Sequence, residues 1–262
     1  MRVNLTWERL AKGDTVFGSG LQVYRSPEIS RTFAAAGFDY VFIDMEHGSF
    51  DLETVQDMIK VALDSGITPI VRVAELLYSL VCRLLDAGAQ GIILPRVEDP
   101  RLLEQAVSWM RFPPIGVRGY GVNPTMVGYE ARSFPEIIEH LNRNTVSVVQ
   151  FETVAAMERA DELLSVPGLD IMMVGPADLS ISLGIPGQLD HPLLVSTVDS
   201  LIEKCVQHNV VPGIQTRSTA MAKFWAERGM RFVGASAEHG LLLEKAKETV
   251  AALQAAKTAT RT

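Results

Sequence analysis

Residues 40–73 read YVFIDMEHGSFDLETVQDMIKVALDSGITPIVRV. The stretch opens on an apolar run, Tyr40–Asp44. An amphipathic segment follows, Asp51–Ser65, stopped by Gly66, and then a second apolar run, Thr68–Val73. Short Val- and Ile-rich runs with no polar face suit parallel strands buried on both sides. A glycine directly after a helical segment is a C-terminal stop, because it tolerates the left-handed conformation. The stretch is one β-α-β unit, and the pattern recurs from end to end. The further strand candidates are Val16–Leu21, Gly91–Leu94, Val146–Phe151, Ile171–Val174, Val211–Ile214 and Phe232–Gly234. The further helix candidates are Pro27–Ala36, Leu77–Ala87, Pro100–Met110, Val154–Leu164, Pro192–His208, Thr219–Arg228 and Leu241–Ala256. Eight strands alternating with eight helices predict an α/β fold, a closed (β/α)8 TIM barrel. A doubly wound open sheet is the alternative. Gly18-Ser19-Gly20 lacks the third glycine of a dinucleotide fingerprint.

A length of 262 residues fits a single barrel domain over 1–262. One segment breaks the rhythm, at about residues 115–144. It carries Gly116, Gly119, Gly121, Pro124 and Gly128, with a short helix expected at Pro135–Leu141. A connection this long reads as a lid or an oligomer contact. The tail Lys257–Thr262 is expected to fray. A net charge of -7 argues against a nucleic-acid surface. Cys82 and Cys205 form no disulfide framework or zinc set. Neither a secretory leader nor an apolar run of membrane-spanning length is apparent, so a cytoplasmic protein is expected.

In such a barrel, chemistry gathers just past the C-terminal ends of the strands. Polar residues collect there: Asp44, Glu46 and His47, then Arg72, Arg96, Gln150 with Glu152, Asp178, Gln215, and Ser236, Glu238 and His239. Glu152 and Asp178, on neighbouring strand ends, offer hard oxygen ligands to a divalent cation. Asp178 is also placed to cap a helix starting at Leu179, and Glu152 to be a solvated loop residue. Arg72, closing an apolar strand, must be paired or ligand-facing. It suits a structural partnership with Asp44 or Glu46 as well as it suits a substrate carboxylate or enolate oxygen. His47 directly follows a strand, with carboxylates beside it. It can move protons, or merely satisfy a loop carbonyl. The seven lysines, Lys12, Lys60, Lys204, Lys223, Lys245, Lys247 and Lys257, all avoid the predicted strand ends. Imine chemistry at the mouth is therefore disfavoured against metal-dependent carbonyl chemistry.

The blocks from Phe38 to His47, Pro69 to Arg72, Leu85 to Gly88, Gly116 to Gly119, Val149 to Thr153 and Val174 to Ser180 resemble, in order, the HpcH/HpaI family of class II pyruvate aldolases. The resemblance implies a barrel whose C-terminal helix is exchanged between subunits of a homo-oligomer, a trimer or hexamer. It implies a divalent metal cation (Mg2+, Mn2+ or Co2+) held by Glu152 and Asp178. Arg72 would contact the keto or enolate oxygen of pyruvate, and Gln150 would sit beside it. The backbone at Ala177 and Asp178 would receive its carboxylate. His47, oriented by Asp44, would be the acid–base group, and Asp86 would reach a neighbouring subunit's site. Arg118 matches an arginine of the long loop. The first strand departs from the family near Ser19 and Gly20, where an aromatic residue is usual. That departure bears on the aldehyde acceptor and not on the pyruvate half-site.

The expected reaction is reversible, metal-dependent cleavage of a 4-hydroxy-2-oxo acid to pyruvate and an aldehyde. The expected partners are small molecules and further copies of the chain, with no nucleic acid and no membrane. The rivals are oxaloacetate decarboxylation, an acyl-CoA lyase activity, and a non-catalytic metabolite-binding barrel.

Overall fold

The β-α-β units close on themselves. A computed structural model describes residues 1–259. In it β1 (Val16–Leu21), β2 (Tyr40–Asp44), β3 (Thr68–Arg72), β4 (Gly91–Leu94), β5 (Val146–Phe151), β6 (Ile171–Val174), β7 (Val211–Thr216) and β8 (Phe232–Ala237) form a closed parallel barrel in chain order. The expected barrel is what the chain builds, and the open sheet is not. The helices are α1 (Leu5–Ala11), α2 (Glu28–Ala36), α3 (Leu52–Asp64), α4 (Tyr78–Ala87), α5 (Pro100–Ser108) and α6 (Phe134–Asn144). They continue with α7 (Val154–Glu158), α8 (Ala160–Leu164), α9 (Pro176–Ser182), α10 (Pro192–Gln207), α11 (Thr219–Glu227) and α12 (Glu238–Ala259). None is long and apolar enough to cross a membrane among the described residues.

The differences from the sequence reading have local causes. β7 and β8 run on past their apolar cores, because Gln215 and Thr216 still pair with Gly234 and Ala235. The helix expected over Val154–Leu164 breaks at Arg159, which leaves helical geometry. Its guanidinium donates to the Glu98 carbonyl at 3.1 Å and pairs with Glu162 at 2.8 Å. In the long connection a 3-10 turn at Pro124–Val127 precedes α6, which is longer than expected and opens with a Ser133/Glu136 capping box. Lys257 to Ala259 continue α12 instead of fraying, and residues 260–262 lie outside the described residues.

Successive strand side chains face opposite ways. Val41, Ile43, Val71, Val149 and Phe151 point outward and pack with Val55, Met58 and Leu84 of the helices. Tyr40, Phe42, Ile70, Val148, Met173 and Phe232 point inward, and Leu10 of α1 closes the floor. Tyr40 stacks on Phe232 with ring centroids 4.1 Å apart. Gly18 makes room for that pair, since a Cβ there would lie 2.3 Å from the Tyr40 ring. Gly18→Ala is therefore expected to cost about 1–3 kcal/mol in chemical denaturation. In a Tyr40→Leu background the cost should shrink, because the two residues share one space. Equal costs in both backgrounds would contradict this packing.

The seam between β8 and β1 is covered differently from the rest. From Leu242 to Ala256 every residue of α12 is exposed. Leu242, Leu243, Val250 and Leu253 among them are more than half exposed. Beside the base of α12 an apolar groove of about 490 Å³ stays open, lined by Phe17, Phe38, Ala222, Ala226, Ala235 and Leu241.

Candidate active site

The inward positions of three strands end in polar residues one step above the apolar layer: Phe42 then Asp44, Ile70 then Arg72, Val148 then Gln150. Parallel register sets Asp44 beside Arg72. The guanidinium grips the Asp44 carboxylate with two nitrogens, Nε to Oδ1 at 3.0 Å and Nη2 to Oδ2 at 2.6 Å. Its Nη1 donates to Gln150 Oε1 at 3.1 Å and pairs with Glu46 Oε2 at 2.9 Å. The group also sits over the Phe42 ring, 5.2 Å from its centroid. Burial acts to raise the Asp44 pKa, but the hydrogen bonds and charge of Arg72 outweigh it and hold the carboxyl below its usual range. Arg72 is thus both things the sequence allowed, paired with Asp44 and Glu46 and lining a cavity.

Glu152, just beyond β5, is buried and accepts from Gln150 Nε2 at 2.5 Å. Burial raises its pKa first, and the nearby charges of Asp178 and Glu46 raise it further. Gly175 lets these side chains pack under the β6–α9 turn, since a Cβ there would lie 2.8 Å from Gln150 Nε2 and 2.9 Å from Glu152 Oε2. Asp178 does not cap a helix at Leu179. Gly175 holds the N-cap position of α9 and Pro176 begins the helix, so Asp178 lies within its first turn. The backbone ladder of α9 starts with Leu179 N–H bonding Gly175 O at 3.0 Å, beyond the N–H groups of Ala177 and Asp178.

His47 stands at the wall with an exposed ring. The structure places Asp44 differently from the expected orienting partner of that ring. Asp44 Oδ1 accepts the backbone N–H groups of Glu46 at 3.0 Å and His47 at 3.2 Å. Its other oxygen is taken by Arg72 and Gln22 Nε2. The carboxylate near the ring is Glu46, with Oε2 3.9 Å from Nε2. Asp44 therefore shapes the loop that carries His47.

Asp86 occupies the last turn of α4, which returns to the N-terminal ends of the strands, opposite the mouth. It pairs there with buried Arg118 at 2.7 Å, and Arg118 lies 4.6 Å from the Phe112 ring centroid. Together they pin the long connection to α4. The mouth itself holds a cavity of about 410 Å³. His47, Arg72, Gln150, Ala177 and Asp178 line it, with Arg217 and His239 across from them in chain order and no lysine among the lining residues. Of the contributors, Glu46 was read as a partner for Arg72 and Gln22 was given no role. Glu46 was visible as an acid two residues past a strand end, whereas the loop from Gln22 to Ser26 stood out only as a departure from the family pattern, with no role for Gln22.

A buried arginine fork beside an acid pair at the mouth of a parallel barrel is suited to holding negative charge that develops on a substrate oxygen. The chain belongs to the HpcH/HpaI aldolase/citrate lyase family, whose model matches residues 23–243. It is similar to a hydroxypyruvate/pyruvate aldolase of Roseobacter denitrificans, with 32% identity over 95% of this chain and 96% of the relative. A 2-keto-3-deoxy-L-rhamnonate aldolase of Salmonella paratyphi B is 30% identical over 90% of this chain and 88% of its own length. The crystal structure of an HpcH/HpaI aldolase from Desulfitobacterium hafniense superposes with a TM-score of 0.90 at 29% identity, covering 95% of this chain and 96% of that one. The protein is a carbon–carbon lyase of the class II aldolase type.

Proposed function

We propose that the protein catalyses reversible aldol addition of pyruvate to an aldehyde, giving a 4-hydroxy-2-oxo acid. The observation that carries this reading is the Arg72 guanidinium, locked by Asp44, Glu46 and Gln150, beside the Glu152–Asp178 pair. Aldol chemistry requires a methyl proton of pyruvate to leave and an enolate to be held. A preorganised guanidinium stabilises charge as it develops on the enolate oxygen without having to move. Gln150 serves beside it, and the first turn of α9 at Ala177 and Asp178 receives the pyruvate carboxylate. In the addition direction His47 takes the methyl proton and delivers it to the aldehyde oxygen as the carbon–carbon bond forms; in cleavage it takes the proton of the 4-hydroxyl and delivers it to the enolate carbon as that bond breaks. The names of the relatives support this donor and reaction type.

Glu152 and Asp178 fit a divalent cation. They are hard oxygen donors, and their mutual repulsion in a buried setting is what a cation would relieve. When bound, magnesium, manganese or cobalt supplies Lewis-acid stabilisation of the enolate. Among the described residues no group of three or more His, Cys, Asp or Glu is arranged to hold a metal, so Glu152 and Asp178 would be the protein's two ligands and would leave room for water and substrate. The test is an aldehyde panel with pyruvate and each cation, read by product mass, together with exchange of the pyruvate methyl protons in deuterated water. Adduct masses and cation-dependent exchange are expected. Absence of both overturns the reading. Oxaloacetate decarboxylation passes through the same enolate and is expected as a side activity.

The protein works as a homo-oligomer, a trimer or hexamer, in which α12 crosses to a neighbouring barrel. The exposed leucines of α12 and the open groove at the β8–β1 seam support this. Asp86 lies at the far end of its own barrel, so any catalytic part falls to it in a neighbouring copy. Leu242→Glu with Leu253→Glu is expected to dissociate the oligomer in sedimentation velocity. A fully active wild-type monomer at assay concentration would overturn the assembly. The setting is the cytoplasm, a reducing compartment that suits two free cysteines, Cys205 being buried with its thiol pushed up to about 12.

A further inference from the structure

Glu238, the first residue of α12, has a fully buried carboxylate that is not part of the cavity wall. It accepts three consecutive backbone N–H groups of the β1–α2 loop: Gln22 at 3.0 and 3.1 Å, Val23 at 2.5 Å and Tyr24 at 3.0 Å. Successive amides converging on one anion form a nest. Among the described residues the one basic side chain within 4 Å of it is the half-exposed ring of His239, 3.7 Å away. Backbone irregularity brings the acid there. Ser236 adopts a left-handed φ of 60°. The β1–β8 pairing shifts between Gly18 and Gly20, setting Gly20 against Ala237. Such bulges re-aim a side chain at the rim of a barrel, and strain of this kind persists only where the surroundings impose it.

What the nest holds is Gln22, a junction of two parts of the site. Gln22 Nε2 donates to Asp44 Oδ2 at 2.9 Å, on the oxygen that also receives Arg72 Nη2. Gln22 O accepts the N–H of Ser49 at 3.0 Å, two residues beyond His47. The gap is closed by Gly48, where a Cβ would lie 2.0 Å from Asp44 O and 3.3 Å from Gln22 O. A shift of the β1–α2 loop would therefore move both the Asp44–Arg72 fork and the loop bearing His47.

We propose that Glu238 is a positioning residue: by clamping the backbone of residues 22–24 it sets, through Gln22, the placement of Arg72 and His47. The proposal rests on the reading above that these two groups do the chemistry. The variants are Glu238→Gln, which removes the charge at constant shape, Glu238→Asp, Gln22→Met, and the double variant Glu238→Gln/Gln22→Met. Each is read by kcat and pyruvate KM, by amide hydrogen exchange, and by melting temperature. Misplacement on the scale of an ångström costs about 10²-fold, so Glu238→Gln should lower kcat by about 10- to 100-fold. Pyruvate KM should stay within about threefold, because the α9 turn is untouched. Exchange should quicken at residues 22–24 and 46–49 and not in β3 to β6. The double variant should be no slower than the worse single one, since both break the same link. Glu238→Asp, keeping the charge, should recover part of kcat.

A lowered melting temperature with unchanged kcat would overturn the proposal, as would exchange quickened uniformly around the barrel or multiplicative losses in the double variant. If Glu238→Gln does not fold, Gln22→Met decides by the same readouts: unchanged kcat and unchanged exchange at 46–49 would overturn it. The exchange arm is independent of turnover. A wild type without aldol activity would therefore sink the functional reading and leave the clamp to be judged on exchange alone.

Discussion

Chelation of divalent cations should take aldol activity to background, and manganese, magnesium or cobalt should restore it. Buried Glu152 lies close enough to Asp178 for that charge to raise its pKa beyond what burial alone does, and a cation between the two would relieve the repulsion. Glu152→Gln should abolish calorimetric binding of manganese and the activity with it. Gln150→Leu is subtler. It removes the donor at 2.5 Å that orients the Glu152 carboxylate and the acceptor that steadies Arg72. Loss of such a partner typically costs about 10- to 100-fold in metal affinity or activity. Activity that survives exhaustive chelation, with pyruvate trapped as a covalent adduct by borohydride, would sink the proposal. Among the described residues no lysine lines the mouth, where an imine would need one.

His47→Ala and Arg72 variants should separate proton transfer from charge stabilisation. Without His47 the 4-hydroxyl loses its acid–base partner, and retro-aldol cleavage should fall by about 10²- to 10⁴-fold. Oxaloacetate decarboxylation needs no such deprotonation and should fall less. Cation and pyruvate binding should persist, because Glu152, Asp178 and the α9 turn remain. Arg72→Lys keeps a positive charge but loses the fork, so both activities should drop together by about 10²- to 10³-fold. Arg72→Ala should also destabilise the fold by about 3–5 kcal/mol, because Asp44 and Glu46 then remain buried without their cation. The sign with pH follows from the lowered folded pKa of Asp44. Its stabilising contribution is complete above its unfolded pKa and is lost as pH falls through the folded one. Near neutral pH the pair is intact and the ratio of the two activities is read cleanly. Cleavage near wild type in His47→Ala, or outright loss of its cation and pyruvate binding, would remove His47 from the role assigned to it.

Much of this site was legible because the period of a strand is two. Phe42 faces in, so Asp44 does, and the same step leads from Ile70 to Arg72 and from Val148 to Gln150. Other features left no such trace. α1 is too short to carry a helical period, yet its Leu10 closes the barrel floor. The periodicity of the last helix marks it as apolar, yet Leu242, Leu243 and Leu253 face solvent. Periodicity reports that a face is apolar and says nothing about what covers it.

By itself the sequence determined the order of strands and helices, their inward and outward faces, and the layer at which polar residues begin. These follow from local propensity and side-chain period, which act over a few residues. Only the tertiary structure decided which partner each polar group takes. Asp44 serves Arg72 and the backbone beneath His47, and not the imidazole, because β2 and β3 meet in a register that places Asp44 opposite Arg72. Asp178 is spared from capping because α9 begins at Pro176. Glu238 reaches a loop 214 to 216 positions away because a bulge at the closing seam turns it there. Such pairings depend on how distant strands align once the barrel closes, and no local pattern encodes that alignment.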